Sequence, residues 1–231
     1  MSLIERFKKI GLFLILFIIF LFSDLIYLIP FKYLNIDYDA LSYNQQTLCS
    51  IFASSILILI LVLIYRKYLK EKWIDFKNNF NKYFDFGIKL WFLGLIGMAA
   101  TNLLIALFSP VQEANNEVLV QEMLDLAPIL SFISASILAP FIEEMLFRKS
   151  LGDIFKNKKI MVIMSGLIFG LLHVVFSIQT PWDLLYTIPY GLLGASFAFM
   201  LYKEDNIFIP ITFHMLHNGI LTLISIIFIG I

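Results

Sequence analysis

Seven stretches of this chain are apolar all the way round and long enough to cross a bilayer. They are Ile10–Ile29, Leu48–Tyr65, Phe86–Phe108, Ile129–Phe147, Ile160–Phe176, Leu184–Tyr202 and Ile207–Ile229. A helix needs about 20 mostly apolar residues to span the hydrocarbon core, whereas barrel strands alternate apolar and polar positions. The pattern therefore predicts an all-α membrane protein, a polytopic bundle of about seven transmembrane helices. Composition agrees: 60% of residues are apolar and 15% charged, against roughly 45–50% and 25% in soluble chains. The first stretch is too long for a signal-peptide core and lacks a small-residue cleavage site, so it is read as a helix. Net charge is zero, which gives a nucleic-acid partner no electrostatic support. The single cysteine, Cys49, excludes an internal disulfide.

Lysine and arginine prefer cytoplasmic loops. With the N-terminus inside, 16 of the 17 basic residues fall on the inner side and Lys32 alone falls outside. This predicts the N-terminus inside, the C-terminus outside, and a multi-pass protein of the cell membrane. The outer connections are acidic, carrying Asp37, Asp39, Glu113, Glu117, Glu122, Asp125 and Asp183. Two further pieces are amphipathic. Trp73, Phe76, Phe80 and Phe84 recur at helical spacing and predict an interfacial helix on the inner leaflet; Leu119, Met123 and Leu126 predict a short outer helix.

Strongly polar groups are costly within a bilayer and default to functional candidates. Within the seven spans they are Asp24, Asn102, Glu143, Glu144, His173, His214, His217 and Asn218. Asp24 is expected at the interface, and His217, Tyr190 and Trp182 as packing or lining residues. Glu144 and Arg148 are four apart and share a helix face, so they are expected to pair; Glu143 points elsewhere and is left without that partner. His214 and Asn218 are one turn apart on one face. A carboxylate and an imidazole can take a proton from water, and a second imidazole with a carboxamide can donate to an oxyanion. The same residues admit another arrangement, in which Glu143, His173 and His214 hold one zinc ion. The H-E-x-x-H zinc motif is absent, and no serine stands in an elbow-like setting beside a histidine.

Three motifs in order carry a family resemblance: Glu143-Glu144-x-x-x-Arg148, Phe169-x-x-x-His173 and His214-x-x-x-Asn218. Over roughly residues 128–220 the chain resembles the CAAX-protease and bacteriocin-processing family of intramembrane endopeptidases, related to the Ras-converting CAAX endoprotease. The resemblance implies a hydrolase acting on a peptide or protein substrate, lipidated or not, within the bilayer. It implies that Glu143 and His173 activate water, that His214 and Asn218 hold the oxyanion, and that Glu144 and Arg148 support them. It also implies a cavity opening toward the cytoplasmic half. Residues 128–231 are then the catalytic core, and residues 1–127 supply transmembrane helices and interfacial segments. The alternatives are a non-proteolytic scaffold or bacteriocin-immunity protein of the same fold, and an ion-coupled transporter, which the nearly uncharged outer halves of the spans disfavour.

Overall fold

A computed structural model describes residues 2–111 and 113–229, and among these the regular elements are all helical. Six helical segments are long and apolar enough to cross a membrane, or seven if the bent N-terminal pair counts as one span. That pair, α1 (Leu3–Leu21) and α2 (Leu25–Tyr33), bends by 52°. The expected single helix over Ile10–Ile29 is thus broken at its outer end, where exposed Asp24 immediately precedes α2.

α3 (Tyr43–Asn78) and α4 (Phe80–Phe108) follow one another directly, separated by Asn79. At 36 residues α3 is about 54 Å long, well beyond the roughly 30 Å hydrocarbon thickness. The expected interfacial helix is therefore not a separate element. Its residues extend α3 and begin α4, and its aromatic face is divided: Phe76 is buried and packs on Phe208 at 6.0 Å, while Trp73, Phe80 and Phe84 stay exposed, Phe84 with one side on Phe213 at 5.5 Å. The same end is closed by polar ties. Asn206 Nδ2 donates to Lys72 O and Asp75 Oδ2, and Tyr83 donates to Asp75 Oδ2.

The outer amphipathic helix is present as α5 (Asn115–Leu126), although Leu124 is its buried residue while Leu119 and Leu126 are exposed. The next span, Pro128–Ile154, is not regular. It runs through α6 (Pro128–Ile133), a π segment (Ser134–Leu138), α7 (Ala139–Glu144) and a second π segment (Met145–Ser150). Asn157 caps the next helix, α8 (Lys158–Val175), by accepting from the Lys159 and Ile160 amides. α9 (Thr187–Glu204) and α10 (Phe208–Ile229) complete the bundle, with Asp205 in the left-handed region at the turn between them. A buried core joins Leu16, Leu57 and Leu61 of the first helices to Met145, Leu146 and Phe147, so the N-terminal half backs the irregular span.

α8 and α9 pack through glycines. A Cβ on Gly166 would lie 2.7 Å from Gly191 O, and one on Gly170 2.3 Å from Thr187 O. Small residues let backbones approach closely where water cannot drive association. Gly170→Ala is expected to lower stability by about 1–3 kcal/mol through overpacking. Gly97→Ala, whose Cβ would meet nothing nearer than 3.5 Å, should not. Thermal melts of both variants in one detergent check this.

Candidate active site

The irregular span explains how polar side chains reach the interior. Within the first π segment the Ala139 amide bonds back five residues to Ser134 O. In that register the next amide would reach Ala135 O, but residue 140 is proline and has no N–H. Asn218 Nδ2 of α10 donates to Ala135 O instead, at 2.8 Å. One turn on, Ser136 and Thr222 hydroxyls meet at 2.7 Å. The second π segment carries Arg148, and Ser165 of α8 donates to its Phe147 carbonyl at 2.7 Å. Short π segments recur at functional sites because they re-aim side chains.

Glu144 and Arg148 do pair, at 3.1 Å from Oε2 to Nε, and both are 0% exposed. Arg148, one residue past the expected span end at Phe147, falls within the helical segment Pro128–Ile154. The guanidinium lies 4.2 Å from the centre of the Phe169 ring, and its Nη2 donates to Gly194 O. Glu144 has a second partner that the spacing does not announce: its Oε1 accepts from His214 Nδ1 at 2.8 Å. His214 is itself buried, stacked on Phe197 with ring centres 4.9 Å apart. The opposite ring nitrogen, Nε2, lies 3.7 Å from Glu143 Oε2, a buried oxygen with no hydrogen-bond partner in the protein. Two carboxylates and a guanidinium thus surround one imidazole.

His173 stands two residues from the end of α8. Its Nδ1 meets Phe169 O at 2.9 Å, and its ring stacks on Tyr190 at 4.9 Å. Because a carbonyl only accepts, Nδ1 carries the proton and Nε2 keeps its lone pair in the neutral ring. His173, His214 and Asn218 line one cavity of about 100 Å³, together with His217 and Tyr190. Glu143 is not in its wall, but its Oε2 stands 3.7 Å from His214 Nε2. Hence three of the four residues expected to do chemistry share a cavity, and the fourth touches it through an imidazole.

The cavity lies beneath α5, whose Glu117 accepts from the Tyr190 hydroxyl at 2.9 Å and is also part of the lining. Asn115 of the same helix donates to Ser177 O, beyond the end of α8. The cavity is therefore at the end of the bundle that carries the acidic connections, opposite the lysine-rich turns. The expectation of a cavity facing the lysine-rich end is not met. Tyr190 and Glu117 are the residues that sequence reasoning undervalued. A tyrosine in an aromatic-rich span and a glutamate in an acidic connection carry no motif, and only the fold, which sets α5 against α8 and α10, brings them within hydrogen-bond distance.

Among the described residues, no group of three or more His, Cys, Asp or Glu side chains is arranged to hold a metal ion. Glu143, His173 and His214 do not converge closely enough in this arrangement to hold a zinc ion together.

Fold and site define a multi-pass membrane protein with a buried carboxylate–imidazole cluster beside a polar cavity. The resemblance read from the motifs is matched independently: residues 125–220 fit the family described as "Type II CAAX prenyl endopeptidase Rce1-like". The chain is 25% identical over 118 residues to the "Putative membrane peptidase YdiL" of Bacillus subtilis (strain 168), covering 50% of this chain and 45% of that protein. It is 26% identical over 158 residues to the "UPF0177 protein YxdF" of Lactococcus lactis subsp. lactis (strain IL1403), covering 65% of this chain and 81% of that one. No solved structure matches it.

Proposed function

We propose that this protein is an intramembrane endopeptidase, hydrolysing a peptide bond with water activated by Glu143 and His173 and with His214 and Asn218 holding the oxyanion. The observation that carries the reading is the convergence of His173, His214 and Asn218 on one cavity, with the buried Glu144–Arg148 pair fixing His214 from behind. Such groups are too costly to bury in a membrane core without a use.

In this reading a base, Glu143 Oε2 or His173 Nε2, takes one proton from water as the oxygen adds to the carbonyl carbon. Asn218 has one amide proton bound to Ala135 O and a second free for the oxyanion. His214 donates from Nε2 when its ring carries both protons, since Nδ1 is directed at Glu144. Collapse of the adduct then breaks the C–N bond, and the stored proton passes to the leaving amine. Residues 128–231 carry this chemistry, and residues 1–127 support it.

We further propose that the N-terminus is inside and the C-terminus outside, on the basis of the Lys/Arg distribution; the cavity then faces outward. Reporters at residue 2 and at the C-terminus should read cytoplasmic and external respectively. Right-side-out vesicles carrying the protein should cleave an added hydrophobic peptide library, and vesicles carrying Glu143→Gln should not. Full binding without cleavage by the wild type would favour the scaffold or immunity reading.

A further inference from the structure

Next to the reactive cavity is a larger one, of about 390 Å³. The two share His217, Tyr190, Glu117, Met98 and Leu221 in their walls, so they are neighbouring compartments of one space. The larger compartment has a mostly apolar wall, with Leu95, Met98 and Leu221, into which a few hydrogen-bond acceptors are set. Glu117 and Glu113 each spend one carboxylate oxygen on a neighbour, Glu117 on Tyr190 and Glu113 on Gln121, and each retains a second oxygen. Asn102 Oδ1 is buried with no hydrogen-bond partner. The Tyr186 and Tyr190 hydroxyls are already used, on Val111 O and Glu117, which leaves their ring faces. Among the described residues, no lysine or arginine lines the compartment.

A second observation is independent of these acidic groups. His217 is 6% exposed, stands in the wall of both compartments and, among the described residues, has no side-chain hydrogen-bond partner. A buried polar side chain is normally satisfied. An unpartnered one facing a shared opening marks where a ligand's polar backbone passes.

We infer that the larger compartment is a substrate subsite for a cationic group, a lysine or arginine side chain or a free amino terminus, selected chiefly by Glu117. This deepens the endopeptidase reading and rests on it for the word substrate. The chemistry is that of an ammonium or guanidinium held by carboxylate oxygens, an amide oxygen and tyrosine ring faces. His217 sits where the peptide backbone crosses from this subsite to the reactive cavity. The class of substrate is a peptide with a basic group a few residues from the scissile bond, not an acidic or wholly apolar one.

The test uses full-length Glu143→Gln protein in nanodiscs, so that peptides stay intact, and a mixture of octapeptides in two forms, amino-terminally free and acetylated. Retained peptides are read by mass spectrometry. The expected result is about tenfold enrichment of Lys and Arg over Gln and Glu at one position, lost when Glu117→Gln is added. Gln keeps an oxygen for Tyr190, so the packing survives. Asn102→Leu, on a different helix, should lower the same enrichment, and it serves where Glu117→Gln folds poorly. Retention of free-amine over acetylated peptides, whatever their side chains, assigns the cation to the α-amino group and supports the subsite; Lys and Arg enrichment in both forms assigns it to a side chain. Neither effect, or one unchanged by both Glu117→Gln and Asn102→Leu, overturns it. Cleavage by the wild type is scored separately. Basic selection without cleavage keeps the subsite and rejects the endopeptidase, and cleavage without basic selection does the reverse.

Discussion

Glu143→Gln is expected to reduce peptide cleavage by about 10²–10⁴-fold, the range that a positioned general base contributes, while leaving the protein folded. The carboxylate oxygen concerned has no hydrogen-bond partner in the protein and stands 3.7 Å from His214 Nε2. An amide there retains the shape and loses the basicity. His173→Ala should cost a similar factor, because its Nε2 is the unprotonated nitrogen in the cavity wall. Groups that act as one unit lose function non-additively, so the double variant should be little worse than the weaker single. Rates measured on protein in one lipid mixture, beside melts of the same preparations, check this. A strictly multiplicative double would separate the two residues into different steps.

Glu144 is expected to behave differently, because it holds structure and site together. Its pair with Arg148 is fully buried, and removing one partner of such a pair costs about 3–5 kcal/mol through the charge left behind. Glu144→Gln and Arg148→Met should each lower thermal stability by that order. The combined Glu144→Gln/Arg148→Met variant should recover much of it, since both buried charges are gone. Cleavage should not recover with stability. His214 loses the carboxylate that accepts from Nδ1 at 2.8 Å, and with it the support for a doubly protonated ring. Melting curves and rates on the three variants separate the effects. A double variant that is stable and fully active would remove Glu144 from the chemistry.

What was legible in the sequence was what hydropathy and one-turn spacing can encode. The spans followed from apolar length, and the Glu144–Arg148 pair from an i, i+4 relation. Depth was not legible. Arg148 follows a run of apolar residues and precedes Lys149, so it reads as a loop charge, yet a π segment and the Phe169 ring bring it fully inside. The aromatic stripe from Trp73 to Phe84 reads as a membrane-facing surface because sequence cannot show that Phe208 and Phe213 of α10 lie against it. The His214–Glu144 contact joins residues 70 apart, and the proline that frees Ala135 O for Asn218 reads only as a kink. Residues of the three motifs still lie close together in the fold, because each contributes polar atoms that an apolar bundle has to gather in one place.

The central claim is that this cavity hydrolyses peptide bonds with water. Purified wild-type protein and Glu143→Gln, reconstituted in the same lipid, should be incubated with a hydrophobic peptide library in water enriched in oxygen-18. The account predicts new carboxyl termini carrying one heavy oxygen from solvent, formed by the wild type and absent, or at least a hundredfold rarer, with Glu143→Gln. No new termini, or equal amounts from both proteins, would contradict it.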